Sequence, residues 1–243
     1  MTLPAAPAGT GIEAALATVR ARIAAATERA GRDQGAVRLV AVTKTVTVAR
    51  IAEALACGVT DIGENRVQEA AAKHAELGDA ARWHLLGHLQ TNKAGRASSI
   101  FDIVHSIDGE RVAAALATRR PGDLGDLDVL LEVELTGLPN HTGFREAELE
   151  AGLAAVAAIP RLRVRGLMTM APPDPDLEHA RSTFARLSSL RDALQQRTGR
   201  ALPELSMGMS DDYWVAVEEG ATLVRLGRAL FGARAYGERS HDG

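Results

Sequence analysis

Lysine is almost missing from this chain: of its 28 basic residues only Lys44, Lys73 and Lys93 are lysines, the rest arginines. Aromatics are scarce at 3%, so a core must be assembled mainly from Ala, Val, Leu and Ile, as α/β layers often are. The single cysteine, Cys57, excludes an internal disulfide, and its place in the helix-like run 51–57 suits a small core residue better than a nucleophile. No apolar run approaches the roughly 20 residues of a membrane span. The first nine residues place no basic residue ahead of an apolar region, so no signal peptide is expected and a cytoplasmic protein is the default. A net charge of −3 removes the electrostatic case for nucleic acid.

What is present is alternation. The 243 residues, 46% apolar, suffice for one large domain. Thr10-Gly-Ile-Glu13 reads as a capping box opening a helix, along which Ile12, Leu16, Val19 and Ile23 recur at helical spacing as far as Gly31. Short apolar strands are then expected at 38–43, 60–63, 82–86, 101–105, 128–134, 163–169, 203–207 and 222–226. Ala-rich helices are expected near 47–57, 65–77, 91–98, 109–119, 145–158, 176–197, 211–219 and 228–232. Largely apolar runs such as 129–133, interrupted only by Glu132, suit parallel strands covered on both faces. Eight strands each followed by a helix, after one extra N-terminal helix, predict a single-domain (β/α)8 TIM barrel over residues 10–235, with flexible termini at 1–9 and 236–243. A doubly wound open sheet is the alternative, because counting strands does not demonstrate closure.

In such a barrel the site lies at the C-terminal ends of the strands. The first strand ends on Lys44, in a sequence that otherwise uses arginine for positive charge. Arginine keeps its proton near neutral pH, whereas a desolvated lysine can release one and attack a carbonyl to form a Schiff base. A solvated strand-end lysine is the plainer reading. The turns after strands 7 and 8, Leu205-Ser-Met-Gly-Met-Ser-Asp-Asp212 and Gly227-Arg-Ala-Leu-Phe-Gly232, offer serine hydroxyls and glycine backbone where barrels often bind phosphate. Asp211 and Asp212 are expected to cap the following helix. Strands 1 and 8 are neighbours in a barrel, so an imine-forming lysine and an anion cradle would share one rim. Pyridoxal 5′-phosphate (PLP) fits both ends, and so does the sugar phosphate of a lysine aldolase; spacing alone does not choose.

Six segments carry a family resemblance: 41–45 (AVTKT), 63–69 (GENRVQE), 83–93 (WHLLGHLQTNK), 165–170 (RGLMTM), 205–212 (LSMGMSDD) and 224–234 (VRLGRALFGAR). In this order, over roughly residues 10 to 235, the chain resembles the YggS/PROSC-type pyridoxal phosphate homeostasis proteins. That resemblance implies a fold-type III barrel like the N-terminal domain of alanine racemase, acting in vitamin B6 homeostasis. It implies a Schiff base on Lys44, with Asn65 and Met168 beside the cofactor and Ser206, Gly227 and Arg228 holding phosphate with Ser210 nearby. Arg225 would face the pyridine nitrogen. An arginine donates and cannot accept, so it should keep that nitrogen unprotonated and the ring a weak electron sink.

Three departures stand out. Arg228 replaces the threonine common after the glycine, the loop 138–144 lacks a lysine before Gly143, and His88 stands where many members have proline. The implied function is a PLP carrier without robust catalysis, with apo-PLP enzymes as recipients and a monomer or weak homodimer as the acting form. A PLP-dependent amino-acid racemase is the alternative. Racemisation needs a second acid/base opposite the lysine, and the only tyrosines are Tyr213, at a helix start, and Tyr236, in the tail. His84 and His88 have the i, i+4 spacing of a zinc helix but sit in strand-to-turn sequence without the accompanying Glu, so no metal site is expected. Lys93 falls near the rim, and Glu64 either orients its neighbours or contacts the ring.

Overall fold

The eight expected strands close on themselves in chain order, each parallel to the next, and the last pairs back to the first. In the computed structural model, which describes residues 11–137, 142–172 and 177–232, the strands are β1 Arg38–Val42, β2 Asp61–Glu64, β3 Arg82–Leu85, β4 Ile103–Ile107, β5 Leu127–Glu132, β6 Leu162–Met168, β7 Glu204–Ser206 and β8 Leu223–Leu226. Outside them lie α2 Val48–Ala56, α3 Val67–Leu77, α4 Ala94–Ile100, α5 Glu110–Arg119, α6 Leu149–Ala157, α7 Leu177–Thr198, α8 Tyr213–Glu218 and α9 Arg228–Phe231. The chain opens on α1 Ile12–Arg29. Among the described residues no helix is long and apolar enough to cross a membrane.

Closure decides for the barrel over the open sheet, and most elements fall within a residue or two of expectation. The reading of α1 needs one correction. Its N-cap is Gly11, with no side-chain cap bond, and Thr10 lies outside the described residues. Strand β4 runs to Ile107, two residues beyond the expected end, because His105 and Ser106 are polar yet buried with partners. A polar pair in a strand looks like its end only while its partners are unknown.

Two cores result. Between strands and helices pack residues such as Ile51, Ile62, Trp83, Leu116 and Phe184, each burial worth about 1.5–3 kcal/mol before chain entropy is counted. Helix α1 adds Leu16, Val19, Ile23 and Ala26 to this layer and is tied to the far end of α8 by the Arg29–Glu218 ion pair. Inside the barrel, Val40, Ile103, Leu130, Met168 and Leu223 form a separate apolar set. Beneath it, inward positions near the N-terminal ends of the strands carry paired charges: Arg38 with Glu204, Arg82 and Arg163 each 2.8 Å from Asp128, and Arg38 3.8 Å from Asp61. Period 2 sets this stacking, since alternate residues of each strand face the axis.

Candidate functional site

Lys44 lies two residues beyond Val42 at the C-terminal mouth of the barrel and is half-buried. The backbone around it is held from α3. Lys73, itself buried, donates to the Thr43 carbonyl, to Glu64 Oε1 and to Glu69 Oε1, each at 2.7 Å. Glu69 also accepts the Thr45 amide at 2.6 Å, and Thr43 Oγ1 donates to Glu64 at 2.5 Å. Thr45 has φ 64°, a left-handed conformation that a β-branched residue adopts only when its surroundings impose it. The strained residue next to Lys44 is therefore fixed by a lysine–carboxylate clamp. Burial pushes the Glu64 carboxyl up, against the hydrogen bonds from Lys73 and Thr43. For Glu69 burial pushes the same way, but the bonds from Lys73 and the Thr45 amide prevail and hold it below the usual range. Glu64 thus orients the strand end; its side chain is turned toward the helices.

Asn65 follows β2 at the same mouth. Gly87 lets the β3 turn close over it, since a Cβ at position 87 would lie 2.4 Å from the Asn65 carbonyl oxygen. The β8 turn meets β1 beside Lys44: Ala41 pairs with Leu226, and a Cβ at Gly227 would stand 3.4 Å from the Val42 carbonyl oxygen. Ser210 joins this turn by accepting the Ala229 amide at 3.2 Å. The Arg228 side chain is exposed and paired with Asp211. The close approach at Gly208, φ 91°, is to α8, whose Ala216 Cβ would stand 2.6 Å from a Cβ there. Asp212 precedes α8 but caps no helix amide; its Oδ1 accepts the Met209 amide at 2.6 Å, tying the loop instead.

Arg225 lies on the inward face of β8, buried, and donates to Ser206 Oγ at 2.7 Å and to the Thr169 carbonyl at 2.9 Å. Burial lowers its pKa to about 10, partly offset by Asp212 and Glu132, which leaves it charged near neutrality. The Ser206 hydroxyl is fully buried between Arg225 and His105, where it meets His105 Nδ1 at 2.7 Å. Its side chain is thus committed inside the barrel, whereas Ser210 is the hydroxyl at the β8 turn. Met168 packs in the interior apolar set below the mouth. Glu132, at the end of β5, is pushed to about 7 by burial and by Asp108.

Lys44, Asn65, Ser210, Arg225, Gly227 and Arg228 thus come together at one mouth. Other candidates do not join them. His84 is wholly buried in the barrel, while His88 faces Asp108 at 2.9 Å and is half exposed; among the described residues no three His, Cys, Asp or Glu side chains form a metal-binding group. Tyr213 is buried on the side of α1, under Arg22. Cys57 is the C-cap of α2, and Lys93 ends a 3-10 turn at the start of α4. Leu138 to His141, Arg234 and Tyr236 lie outside the described residues. Sequence reading missed the roles of Asp61, Lys73, Glu69 and His105. Their signal was polarity at buried positions: Asp61 and His105 interrupt apolar strands on the inward phase.

The profile of the family "Alanine racemase, N-terminal domain" matches residues 15–235. The pyridoxal phosphate homeostasis protein of Pseudomonas aeruginosa is 44% identical over 223 residues, 91% of this chain and 95% of that protein. Its Escherichia coli K12 counterpart is 41% identical over 229 residues, covering 92% and 97%. Among solved structures, PipY of Synechococcus elongatus with PLP bound is 40% identical with a TM-score of 0.80, covering 91% of this chain and all of that one. Alanine racemase of Corynebacterium glutamicum, 19% identical with a TM-score of 0.64, shares the fold.

Proposed function

The chain belongs to the pyridoxal phosphate homeostasis proteins, on the alanine racemase N-terminal domain, and from that premise we propose that it binds PLP at the C-terminal mouth of its barrel and acts in PLP homeostasis. The donor set at the mouth suits that cofactor. A primary amine, Lys44, stands at one side for a Schiff base with the aldehyde. Ser210 and the backbone at Gly227 and Arg228 stand on the neighbouring strand end for the phosphate. The exposed Arg228–Asp211 pair leaves backbone, not the Arg228 side chain, for that contact. The observation that carries the reading is Arg225, a buried guanidinium on the inward face of β8 with five N–H donors and no acceptor, which we assign to the ring nitrogen. Asn65 and Met168 complete the surroundings, as wall and floor. Ser206 acts through Arg225 and not on the phosphate.

PLP supplies an aldehyde for covalent attachment and a ring able to withdraw electrons from a bound amino acid. Arg225 opposes the second ability, because a donor at the ring nitrogen disfavours its protonation. Tyr213, the tyrosine within the described residues, is turned toward α1 and offers no acid at the mouth. We therefore read the chain as a holder of PLP without robust catalysis, working inside the cell as a monomer or weak homodimer, with apo-PLP enzymes as recipients. The test is the visible spectrum of the purified protein with added PLP, before and after borohydride, followed by peptide mass mapping. A reducible chromophore mapping to Lys44 is expected; a protein that stays colourless with PLP overturns the assignment.

A further inference from the structure

Four polar side chains inside the barrel are left without a task by the cofactor contacts above: Asp61, His84, His105 and, in part, Ser206. They form an unbroken line from the charged lower ring to the mouth. Asp61 Oδ1 lies 2.9 Å from His84 Nε2, His84 Nδ1 lies 2.8 Å from His105 Nε2, and His105 Nδ1 lies 2.7 Å from Ser206 Oγ. Arg225 closes the line by donating to Ser206 at 2.7 Å. Both histidines and Ser206 have no exposed surface, and Asp61 is 5% exposed.

The ends of the line fix its direction. Arg225 can only donate. If Asp61 is ionised it can only accept, and His84, Thr60 and Arg38 hold its carboxyl below the usual range against the upward push of burial. Burial keeps both histidines neutral; His105 is held well below the usual histidine range, with the nearby charges of Arg225, Arg38 and Arg82 adding to the effect. One arrangement then satisfies every atom. Arg225 donates to Ser206, Ser206 donates to His105 Nδ1, His105 Nε2–H donates to His84 Nδ1, and His84 Nε2–H donates to Asp61. The reverse direction would require a protonated Asp61 and would leave the Ser206 proton with no acceptor among these partners. Glu132 and Asp212, the acidic groups that bear on Arg225 from β5 and the β7 turn, lie outside the line.

We propose that Asp61, His84, His105 and Ser206 are positioning residues, a one-directional chain of donors that holds Arg225 in place as a charged donor to the ring nitrogen of bound PLP. The proposal rests on the PLP reading for its target but not for its geometry. A hydroxyl polarised through two imidazoles by a buried carboxylate is a better acceptor for the guanidinium than an isolated serine. Because Arg225 accepts nothing, the chain conducts no proton to the mouth; it orients.

Histidine-labelled, cofactor-free full chain tests this by 15N–1H correlation of the imidazoles at pH 7. His84 and His105 are both expected as neutral Nε2–H tautomers. An imidazolium, or an Nδ1–H tautomer at either, overturns the proposal. Asp61→Leu is expected to let Nδ1–H forms of both rings appear, and Asp61→Asn, whose amide oxygen still accepts from His84, to restore the wild-type pattern. Unchanged tautomers in a folded Asp61→Leu protein overturn it as well, and should that variant not fold, the wild-type spectrum decides alone. With ring-15N PLP loaded, the ring resonance should move in Ser206→Ala, and an unmoved resonance cuts the link to Arg225. Failure of the PLP reading would appear separately, as the absence of an adduct on Lys44.

Discussion

The Lys73 ammonium stands 2.7 Å from Glu64 Oε1, while the other oxygen of that fully buried carboxylate has no hydrogen-bond partner among the described residues. Glu64 is therefore a buried charge with little help beyond Lys73 and the Thr43 hydroxyl. Lys73→Met should destabilise the fold by about 3–5 kcal/mol, the usual result of stripping one partner from a buried pair. Adding Glu64→Gln should recover a large part of the loss. Urea unfolding of the single and double variants checks both. Equal stability of Lys73→Met and wild type would show that Glu64 is held neutral.

The same clamp bears on function, because Lys73 and Glu69 hold Thr43 and Thr45 on either side of Lys44. Lys44→Ala removes the amine without touching the clamp. It should abolish the borohydride-reducible adduct and leave the unfolding midpoint near that of wild type. An adduct persisting on Lys93 or Lys73 in this variant would move the assignment away from the first strand.

The barrel itself was legible because its evidence is repetitive: eight apolar runs, each followed by an Ala-rich helix, predict a cyclic order that the β8–β1 pairing completes. Lys44 stood out by chemistry, in a chain with 25 arginines and three lysines. The clamp and the interior line did not. Lys73 looks like any lysine on a charged helix until α3 is docked on β1 and β2. His84 and His105 look unrelated until strand register stacks them, since neighbouring strands supply one residue each. Ser206 and Ser210 show the limit most clearly. Both belong to one Ser-x-Gly-x-Ser turn, and only strand phase sends the first into the barrel and leaves the second at the turn after β8, on the Ala229 amide.

That split predicts opposite behaviour for the two serines. Ser210→Ala should weaken retention of PLP about tenfold, as expected for losing one hydrogen bond to a charged group, and should hardly change binding of pyridoxal, which has no phosphate. Ser206→Ala should affect PLP and pyridoxal alike if its partner Arg225 faces the ring as proposed. Equilibrium dialysis with both ligands separates the cases. Parallel losses for both ligands in Ser210→Ala would remove the phosphate from the β8 turn.

Glu132 sets a pH dependence whose sign follows from its environment. Burial and the neighbouring Asp108 carboxylate raise its pKa from 4.5 to about 7 in the folded chain. Between those values the native state keeps a proton that the unfolded chain has already released. Stability from this group is therefore complete below about pH 4.5 and declines as pH rises toward 7, by on the order of 3 kcal/mol at most. Glu132→Gln replaces the carboxyl with a neutral group of similar shape and removes this term. In the cofactor-free protein the variant should gain on wild type at pH 8 and lose that advantage at pH 5, measured by denaturant unfolding at both. Equal destabilisation at the two pH values would mean that Glu132 is ionised throughout and serves Arg225 as a counter-charge. In that case the mouth would carry a fixed negative group acting on the Arg225 guanidinium, and burial would not be what governs its proton.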